Sequence, residues 1–237
     1  MRALKAIVMC CVFAAGWHSW PAAAQQVIDR IAVKIEGDII LLSEVRDLAA
    51  YQQLVDGHAE PDAKLVSELI EQWMVNNEAT GARFPSPAES EINREAAKIA
   101  SQFPSPAAYQ ARLKELGITE QTVRRIVTEE IYMARYLDYK FRPVIRVDDA
   151  AIEAYYKQQL TPQLQAKNQP VPPLANVTEQ IHEVLVQQGI DSRAATWFDE
   201  TKARMKIEIE PVPGTPNPVP VASSGNSGGT GAANDSR

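Results

Sequence analysis

The feature that most constrains this chain is a short hairpin pattern that runs directly into a long series of helical patterns. Apolar residues alternate at Ile31, Val33 and Ile35, which is typical of a half-buried strand. A turn follows at residues 36–38, because Gly37 can adopt a positive φ without steric cost. Residues 39–42 return as a short apolar strand. The sequence therefore predicts strand, turn, strand and helix in that order.

A second alternating segment lies near the far end of the chain, over residues 205–210, with Ile207 and Ile209 on one face. A lone strand would leave its backbone N–H and C=O groups without partners. The hairpin is the only other strand pattern that could pair with it. We therefore expect the C-terminal strand to pair with the N-terminal hairpin in one small sheet.

Between these strands, the sequence predicts helices almost throughout. They are expected over residues 43–55, 62–80, 86–102, 105–117, 120–141, from 149 through Tyr155-Tyr156, 174–188 and from 191 through 197. Their starts are marked by side chains that can accept a hydrogen bond from the first backbone N–H groups, namely Ser43, Ser86, Ser105, Thr119 and Asp148. Residues 161–173 are polar and proline-rich and are expected to form a linker. The predicted fold class is mainly α with a small β-sheet.

The first 24 residues have the pattern of a secretory signal peptide. Arg2 and Lys5 precede a continuous apolar run over residues 6–16. Small residues then predict cleavage between Ala24 and Gln25. An uncleaved membrane anchor is the alternative, but the apolar run is shorter than the ~20 residues of a spanning helix. At the other end, residues 211–237 are rich in Pro, Gly, Ser and Asn, and this composition predicts disorder.

Removal of the predicted signal peptide changes the chemistry that the chain can carry. Both cysteines lie within it, so the mature chain can form neither a disulfide nor a cysteine metal site. The whole chain has 24 basic and 30 acidic residues, and the loss of Arg2 and Lys5 leaves 22 basic residues and a net charge of −8. An acidic surface argues against nucleic acid or an anionic membrane as the partner.

Catalytic patterns are sparse in the remaining sequence. The mature chain has no G-x-S-x-G, no HExxH, no glycine-rich phosphate loop and no cluster of metal ligands, so we expect no cofactor and no metal. His58 lies in a predicted loop and His182 on a helix face, where solvent exposure explains both. Asp148-Asp149 could form a carboxylate pair, but a helix cap followed by a first-turn acid explains it better.

Two features are candidates for binding. Tyr132, Tyr136 and Tyr139 form a stripe at i, i+4 and i+7 on the longest predicted helix, beside a second, aliphatic stripe that includes Ala134 and Leu137. Tyrosine suits a surface that holds unfolded segments, because its ring is apolar and its hydroxyl is polar. Both stripes could instead be core, since a central helix can be packed on two sides.

The other candidate is Trp73 with Met74 on the second helix, where methionine offers an adaptable apolar surface. Burial in the core is the alternative for this pair as well. For the tyrosine stripe and for this pair, the sequence leaves both the binding surface and the core as possible locations.

Several motifs, in this order, resemble those of the SurA-type periplasmic chaperones. They are VIDRIAVKIEGDIILLSEVR, KLVSELIEQWMVNNEATG, GITEQTVRRIVTEEIYMARYLDYKF, RVDDAAIEAYYKQQL and WFDETKARMKIEI. The resemblance implies one chaperone module. Its N-terminal helical segment, residues 25–160, would be joined through the hairpin to C-terminal helices and a closing strand at residues 174–210. The resemblance implies no catalytic residues for this module.

The resemblance has one large departure. Members of the family usually carry one or two parvulin prolyl-isomerase domains between the Tyr-Tyr helix and the closing helix. In this chain only residues 161–173 stand there, and a segment that short cannot bury a core. The run His182 to Val186 briefly resembles the start of a parvulin domain. It is better explained as a helix that buries one face, because Val177, Ile181, Val184 and Leu185 fall on that face at helical spacing.

The resemblance predicts an ATP-independent periplasmic chaperone that binds unfolded outer-membrane or envelope proteins and that is not an enzyme. Nucleic acid binding and stable membrane insertion are not expected. Two alternatives remain open, a prolyl isomerase and an adaptor that binds one folded envelope protein.

Overall fold

The computed structural model describes residues 29–211. The predicted signal peptide, its cleavage site between Ala24 and Gln25, and residues 212–237 of the predicted disordered tail lie outside the described residues. Within residues 29–211 the chain is mainly helical, with one small antiparallel sheet. This confirms the predicted fold class.

The sheet joins the two ends of the described chain. Strands β1 (Ile31–Ile35) and β2 (Asp38–Leu41) form the hairpin, and β3 (Ile207–Ile209) pairs with the free edge of β1, which gives the order β2-β1-β3. The Lys34 ammonium lies 2.7 Å from a carboxylate oxygen of Glu210 and reinforces the β1–β3 pairing. The expected pairing of the C-terminal strand with the hairpin is therefore confirmed.

The hairpin differs from simple alternation at its first residues. A β-bulge between Ile31 and Val33 shifts the register, so that Ala32, rather than Ile31, is buried with Val33. Ile31 is 37% exposed, and its predicted place on the buried face is wrong. The turn has φ +50° at Glu36 and φ +102° at Gly37, the left-handed pair that closes a two-residue hairpin.

Helices fill the chain between β2 and β3. Their bounds are α1 Leu42–Val55, α2 Asp62–Gly81, α3 Glu89–Ser101, α4 Pro106–Leu116, α5 Glu120–Phe141, α6 Asp149–Tyr155, α7 Thr161–Ala166 and α8 Leu174–Lys202. A 3₁₀ turn, Arg142–Val144, follows α5, and a π-helical turn, Tyr156–Leu160, joins α6 to α7.

Three of the five predicted caps are confirmed. The side chains of Ser105, Thr119 and Asp148 each accept a hydrogen bond from the backbone N–H three residues later, at 3.2, 3.1 and 2.8 Å. In each case the cap chemistry is local to four consecutive residues. Local sequence is therefore sufficient to predict these helix starts.

The caps predicted at Ser43 and Ser86 are wrong. Helix α1 begins one residue earlier than predicted, and the Ser43 hydroxyl donates to the carboxylate of Asp29. The Glu44 carboxylate instead accepts from the Leu41 N–H at 2.7 Å. Helix α3 begins at Glu89, so that Ser86 lies in the preceding extended segment.

The C-terminal part of the chain is more continuous than predicted. Within the predicted linker, residues 161–166 form α7, and only residues after Ala166 leave the helix. The two helices predicted after the linker are one helix, α8, which runs through Gly189. Val184 was predicted on the buried face of this helix, but it is 39% exposed, while Val186 and Ile190 point inward.

Two hydrophobic cores stabilise the described chain, and α5 contributes to both. The first core joins the sheet to α2, α8 and the end of α5, where Tyr136 and Phe141 are buried. The second joins α1, α3 and α4 to the start of α5, where Val123, Ile126 and Val127 are buried. Helix α1 also contributes to both, with Leu42 and Val45 in the first core and Tyr51 and Leu54 in the second, so α5 and α1 together connect the two cores.

Candidate binding groove

A contiguous groove lies beside α5, between α2 and α8. It consists of three adjoining depressions of about 640, 140 and 310 Å³. Glu130 and Met133 line the first and second, Leu137 and Asp191 line the first and third, and Glu71 lines the second and third. We call this surface the α5 groove. Its three depressions are open to solvent and could hold an extended segment.

The floor of the α5 groove is apolar. Met133 and Leu137 of α5 are half-buried, and the buried Ala194 and Phe198 of α8 line one depression together with Leu137. The α-helical period places Met133 and Leu137 one turn apart on one face of α5, which points them to the same side. A floor of this kind can bury the apolar side chains of a second chain.

The rim of the groove is acidic. It is formed by carboxylates from three helices, namely Glu68, Glu71, Glu130, Asp138, Asp191 and Asp199. Two of them are neutralised by cations of the chain: Glu71 lies 2.6 Å from the Lys202 ammonium, and Asp138 lies 2.7 Å from the Arg142 guanidinium. Among the described residues that line these depressions, Arg135, in the first depression, is the one basic residue.

Two rim carboxylates lie in partly desolvated surroundings. Desolvation raises the pKa of Glu130 and of Glu68 above the usual value for glutamate. Each is held by a neutral donor: the Tyr51 hydroxyl donates to Glu130 at 2.7 Å, and the Gln52 amide donates to Glu68 at 2.9 Å. These hydrogen bonds fix the positions of the carboxylates without adding a positive charge, although Lys64 offsets part of the Glu68 charge through space.

The predicted tyrosine stripe packs around Phe84, which lies just after α2. The ring centroid of Phe84 is 5.7 Å from that of Tyr132, 5.3 Å from that of Tyr136 and 5.3 Å from that of Tyr139. The three tyrosines differ in burial: Tyr136 is buried, Tyr132 is half-buried and Tyr139 is 63% exposed. Burial raises the pKa of Tyr136 to about 12, and neighbouring Glu78 adds to this effect.

Trp73 and Met74, the second candidate for binding, also differ in burial. Met74 is buried in the first core with 2% of its surface exposed. Trp73 is half-buried, and its indole N–H donates to the Asp38 carboxylate at 3.0 Å, which ties α2 to the hairpin. Trp73 lines a small separate depression beside Ile39, which is 51% exposed.

Sequence reasoning missed the residues that form the groove floor. Met133 lies within α5 next to Tyr132, outside the two stripes that the sequence predicts for this helix. Its spacing of four residues from Leu137 is the one signal that could have identified this face. The role of Phe84 could not be found this way, because it lies in a loop and its ring contacts depend on how α2 approaches α5.

The remaining polar candidates lie apart from the groove. His58 is exposed, and the Asp148 side chain caps α6. Over residues 29–211, no group of three or more His, Cys, Asp or Glu side chains is arranged to hold a metal ion. None of the described helices combines the length and the apolar character that a bilayer crossing requires.

Comparison with known proteins gives a relationship of limited extent. No protein-family model matches the chain. Chaperone SurA from Bordetella pertussis and Chaperone SurA from Bordetella bronchiseptica are each 29% identical over 150 residues. Chaperone SurA from Bordetella parapertussis is 27% identical over the same length. The chain is similar to SurA.

The match to SurA covers only part of each protein. It includes 59% of this chain and 28% of the length of each relative. These relatives are named chaperones, which suggests a chaperone role for the matched part of the chain. The mainly helical fold with its three-stranded sheet is consistent with the SurA-like module that the motifs predict.

Proposed function

We propose that this protein is an ATP-independent chaperone of the periplasm that binds unfolded outer-membrane or envelope proteins and prevents their aggregation. The observation that carries the proposal is the α5 groove, with its half-buried apolar floor at Met133 and Leu137. The similarity to proteins named Chaperone SurA supports it. The predicted signal peptide supports the periplasm as the site of action.

The shape of the groove suits transient binding. An open surface can admit and release an extended chain, and the flexible, polarisable Met133 can adapt to side chains of different shapes. A promiscuous surface that also releases its clients is expected to bind each segment with roughly micromolar affinity. Tyr132 and Tyr139, beside Phe84, and Trp73, beside Ile39, are proposed as further contacts at the edges of the module. Met74 and Tyr136 are buried and would support this surface from below.

We further propose that the protein does not catalyse prolyl isomerisation. The segment between α6 and α8 contains only a π-helical turn, α7 and a short extended stretch. The hydroxyl of Tyr156 donates to the carbonyl of Pro172 at 2.7 Å, so this segment folds back on itself. A segment of this size is too short for a domain with its own core.

The test is an aggregation assay with an unfolded β-barrel protein, in the absence of ATP. The mature protein is expected to suppress aggregation near stoichiometric concentration. Replacing Met133 by Gln should weaken suppression several-fold, because a polar amide then lies on the apolar floor. Val184→Gln is the matched control, since Val184 is an exposed apolar residue of α8 that does not line the groove.

Two outcomes would contradict the proposal. The first is no effect of the intact protein on aggregation at stoichiometric excess. The second is robust acceleration of cis–trans exchange in an X-Pro peptide, which would make the protein an isomerase. An adaptor would be recognised differently, by binding to one folded envelope protein without binding to unrelated unfolded chains.

A further inference from the structure

The negative charge of the α5 groove is not balanced by ion pairs within residues 29–211. Glu68, Glu130, Asp191 and Asp199 lie on its rim, and within residues 29–211 no lysine, arginine or histidine nitrogen lies within 4.0 Å of their carboxylate oxygens. Elsewhere on the molecule, exposed carboxylates are commonly paired, as Glu183 is with Arg142 at 2.7 Å. The rim therefore presents unpaired negative charge.

Three of these four carboxylates are held in place by neutral groups. Besides the hydrogen bonds to Glu68 and Glu130 described above, the Gln187 amide donates to Asp191 at 2.8 Å. In the described part of the chain, the Asp199 carboxylate makes no side-chain hydrogen bond. Glu68, Glu130 and Asp191 are thus fixed in position without an ion-pair partner among residues 29–211.

Negative charge and apolar surface alternate across the groove at short range. On α8, Asp191 and Asp199 flank Ala194 and Ala195, and these four residues line one depression together with Leu137. A ligand that fills this depression must place apolar atoms on the floor and meets carboxylates at both ends of it. An anionic ligand would be repelled at both ends.

We infer that the α5 groove selects unfolded segments in which lysine or arginine residues flank apolar side chains. This inference rests on the proposed chaperone function and adds the chemistry of the bound segment. The aliphatic stem of lysine or arginine can cover the apolar floor while its charged end reaches the rim. From Gln187 to Asp199 the α8 side of the groove is about 18 Å long, which corresponds to about five or six residues of extended chain.

The experiment compares three peptides that share one apolar core and differ in their flanks, which are Lys, Gln or Glu. Their affinities for the mature protein are measured by fluorescence anisotropy at low and at physiological salt. The expected order of affinity is Lys over Gln over Glu. The difference between the peptides should shrink as salt screens the rim charges. Equal affinities for the three peptides at low salt would overturn the inference.

Matched variants separate the groove from the acidic character of the whole molecule. One variant carries Asp191→Asn and Asp199→Asn, and the other carries Glu179→Gln and Glu200→Gln. All four positions are exposed residues of α8, and each variant removes two negative charges, but Glu179 and Glu200 do not line the groove. Circular dichroism and thermal unfolding establish that both variants are folded.

The groove variant should bind the Lys-flanked peptide about fivefold more weakly, and the control variant should change its affinity by less than about twofold. Equal loss in the two variants would assign the preference to overall charge and would overturn the inference. If aggregation is suppressed but the three peptides bind alike, only the inference fails. If no peptide binds and aggregation is unaffected, the proposed function fails together with it.

Discussion

Gly189 allows the segment after α5 to lie directly against α8. A Cβ atom at this position would lie 2.8 Å from Cγ2 and 3.0 Å from Cδ1 of Ile145, closer than carbon atoms pack. Glycine in the middle of a helix is otherwise unfavourable by about 1 kcal/mol relative to alanine. The close approach to Ile145 explains why a 29-residue helix contains a glycine near its middle.

Gly189→Ala should lower the free energy of unfolding by about 1 kcal/mol, because the overpacking exceeds the gain in helix propensity. Urea unfolding followed by circular dichroism measures this. Gly81→Ala is the control, since no atom lies within 4 Å of a Cβ built there, and it should be neutral or slightly stabilising. Adding Ile145→Ala should remove the penalty of Gly189→Ala. If both glycine variants behave alike, the close approach does not matter for stability.

Among the tyrosines of α5, we expect Tyr136 to contribute to stability and Tyr139 to contribute to binding. Tyr136→Ser should cost about 3 kcal/mol, since it leaves a cavity in the first core. Tyr139→Ser should leave the midpoint of thermal unfolding almost unchanged, because this side chain is mostly exposed. We expect Tyr139→Ser to weaken suppression of aggregation, as a residue at the edge of the binding surface. Thermal unfolding and the aggregation assay are run on both variants, and a large loss of stability in Tyr139→Ser would contradict this assignment.

Strand β3 is held to the rest of the molecule by strand pairing, a flanking backbone hydrogen bond and core contacts. It pairs with β1 in register, with Ile207 opposite Ile35 and Ile209 opposite Val33. The Glu210 N–H also donates to the Ala32 carbonyl at 2.9 Å, and the half-buried Ile207 packs against the first core. Without β3, the central strand of the sheet would become an edge strand.

A chain that ends at Arg204 should therefore have a free energy of unfolding about 2–4 kcal/mol lower than that of a chain that ends at Pro211. Removal of residues 212–237 alone should have almost no effect, since their sequence has no core-forming pattern. Urea unfolding of the full chain and of the two shortened chains measures both differences. A small and equal effect of the two truncations would show that β3 is dispensable.

The sequence predicts correctly those elements whose stabilising interactions join residues close together in the chain. Ser105, Thr119 and Asp148 start their helices as expected, because each cap bonds to a backbone group three residues away. The cap predicted at Ser43 is wrong because the Ser43 hydroxyl donates a hydrogen bond to Asp29, which lies 14 residues earlier. The sequence predicts two helices on either side of Gly189, whereas α8 is continuous. The reason for a glycine at this position is its close approach to Ile145, which is distant in sequence.

The groove was harder to predict than the fold. Helical spacing identified the tyrosine face of α5, but it could not show that Phe84 covers much of that face. To predict the acidic rim, one must know which acidic residues of α2, α5 and α8 lie close together, and this depends on how the three helices pack. Val184 shows the same limit, because its place in the apolar spacing of α8 indicates burial, whereas its side chain is 39% exposed.

At the scale of the whole molecule, α5 makes the two cores dependent on each other. Its first half is buried with α1, α3 and α4, and its second half is buried with α2, α8 and the sheet. Salt bridges along its length add to this coupling, including Arg125 to Asp47 of α1 and Arg124 to Glu89 of α3, both at 2.8 Å. Loss of either core would therefore release one half of the same helix.

Val123→Ala should lower the stability of both cores together, by about 2 kcal/mol. The two tryptophans of the described chain, Trp73 and Trp197, both pack against the first core, whereas Val123 lies in the second. Tryptophan fluorescence and far-ultraviolet circular dichroism should therefore shift by the same amount. Val75→Ala, in the first core, serves as the reference. A shift in circular dichroism without a shift in fluorescence would show that the cores unfold independently.

The pairing of β1 with β3 also sets the order in which a new chain can mature. Lys34 and Glu210 are 176 residues apart, so a chain that emerges from its N-terminal end presents β1 well before β3. During that interval one side of β1 has unpaired backbone groups and exposed isoleucine and valine side chains, the combination that promotes aggregation. Each newly made molecule therefore passes through a stage in which it has the same need for protection as the chains that we propose it protects.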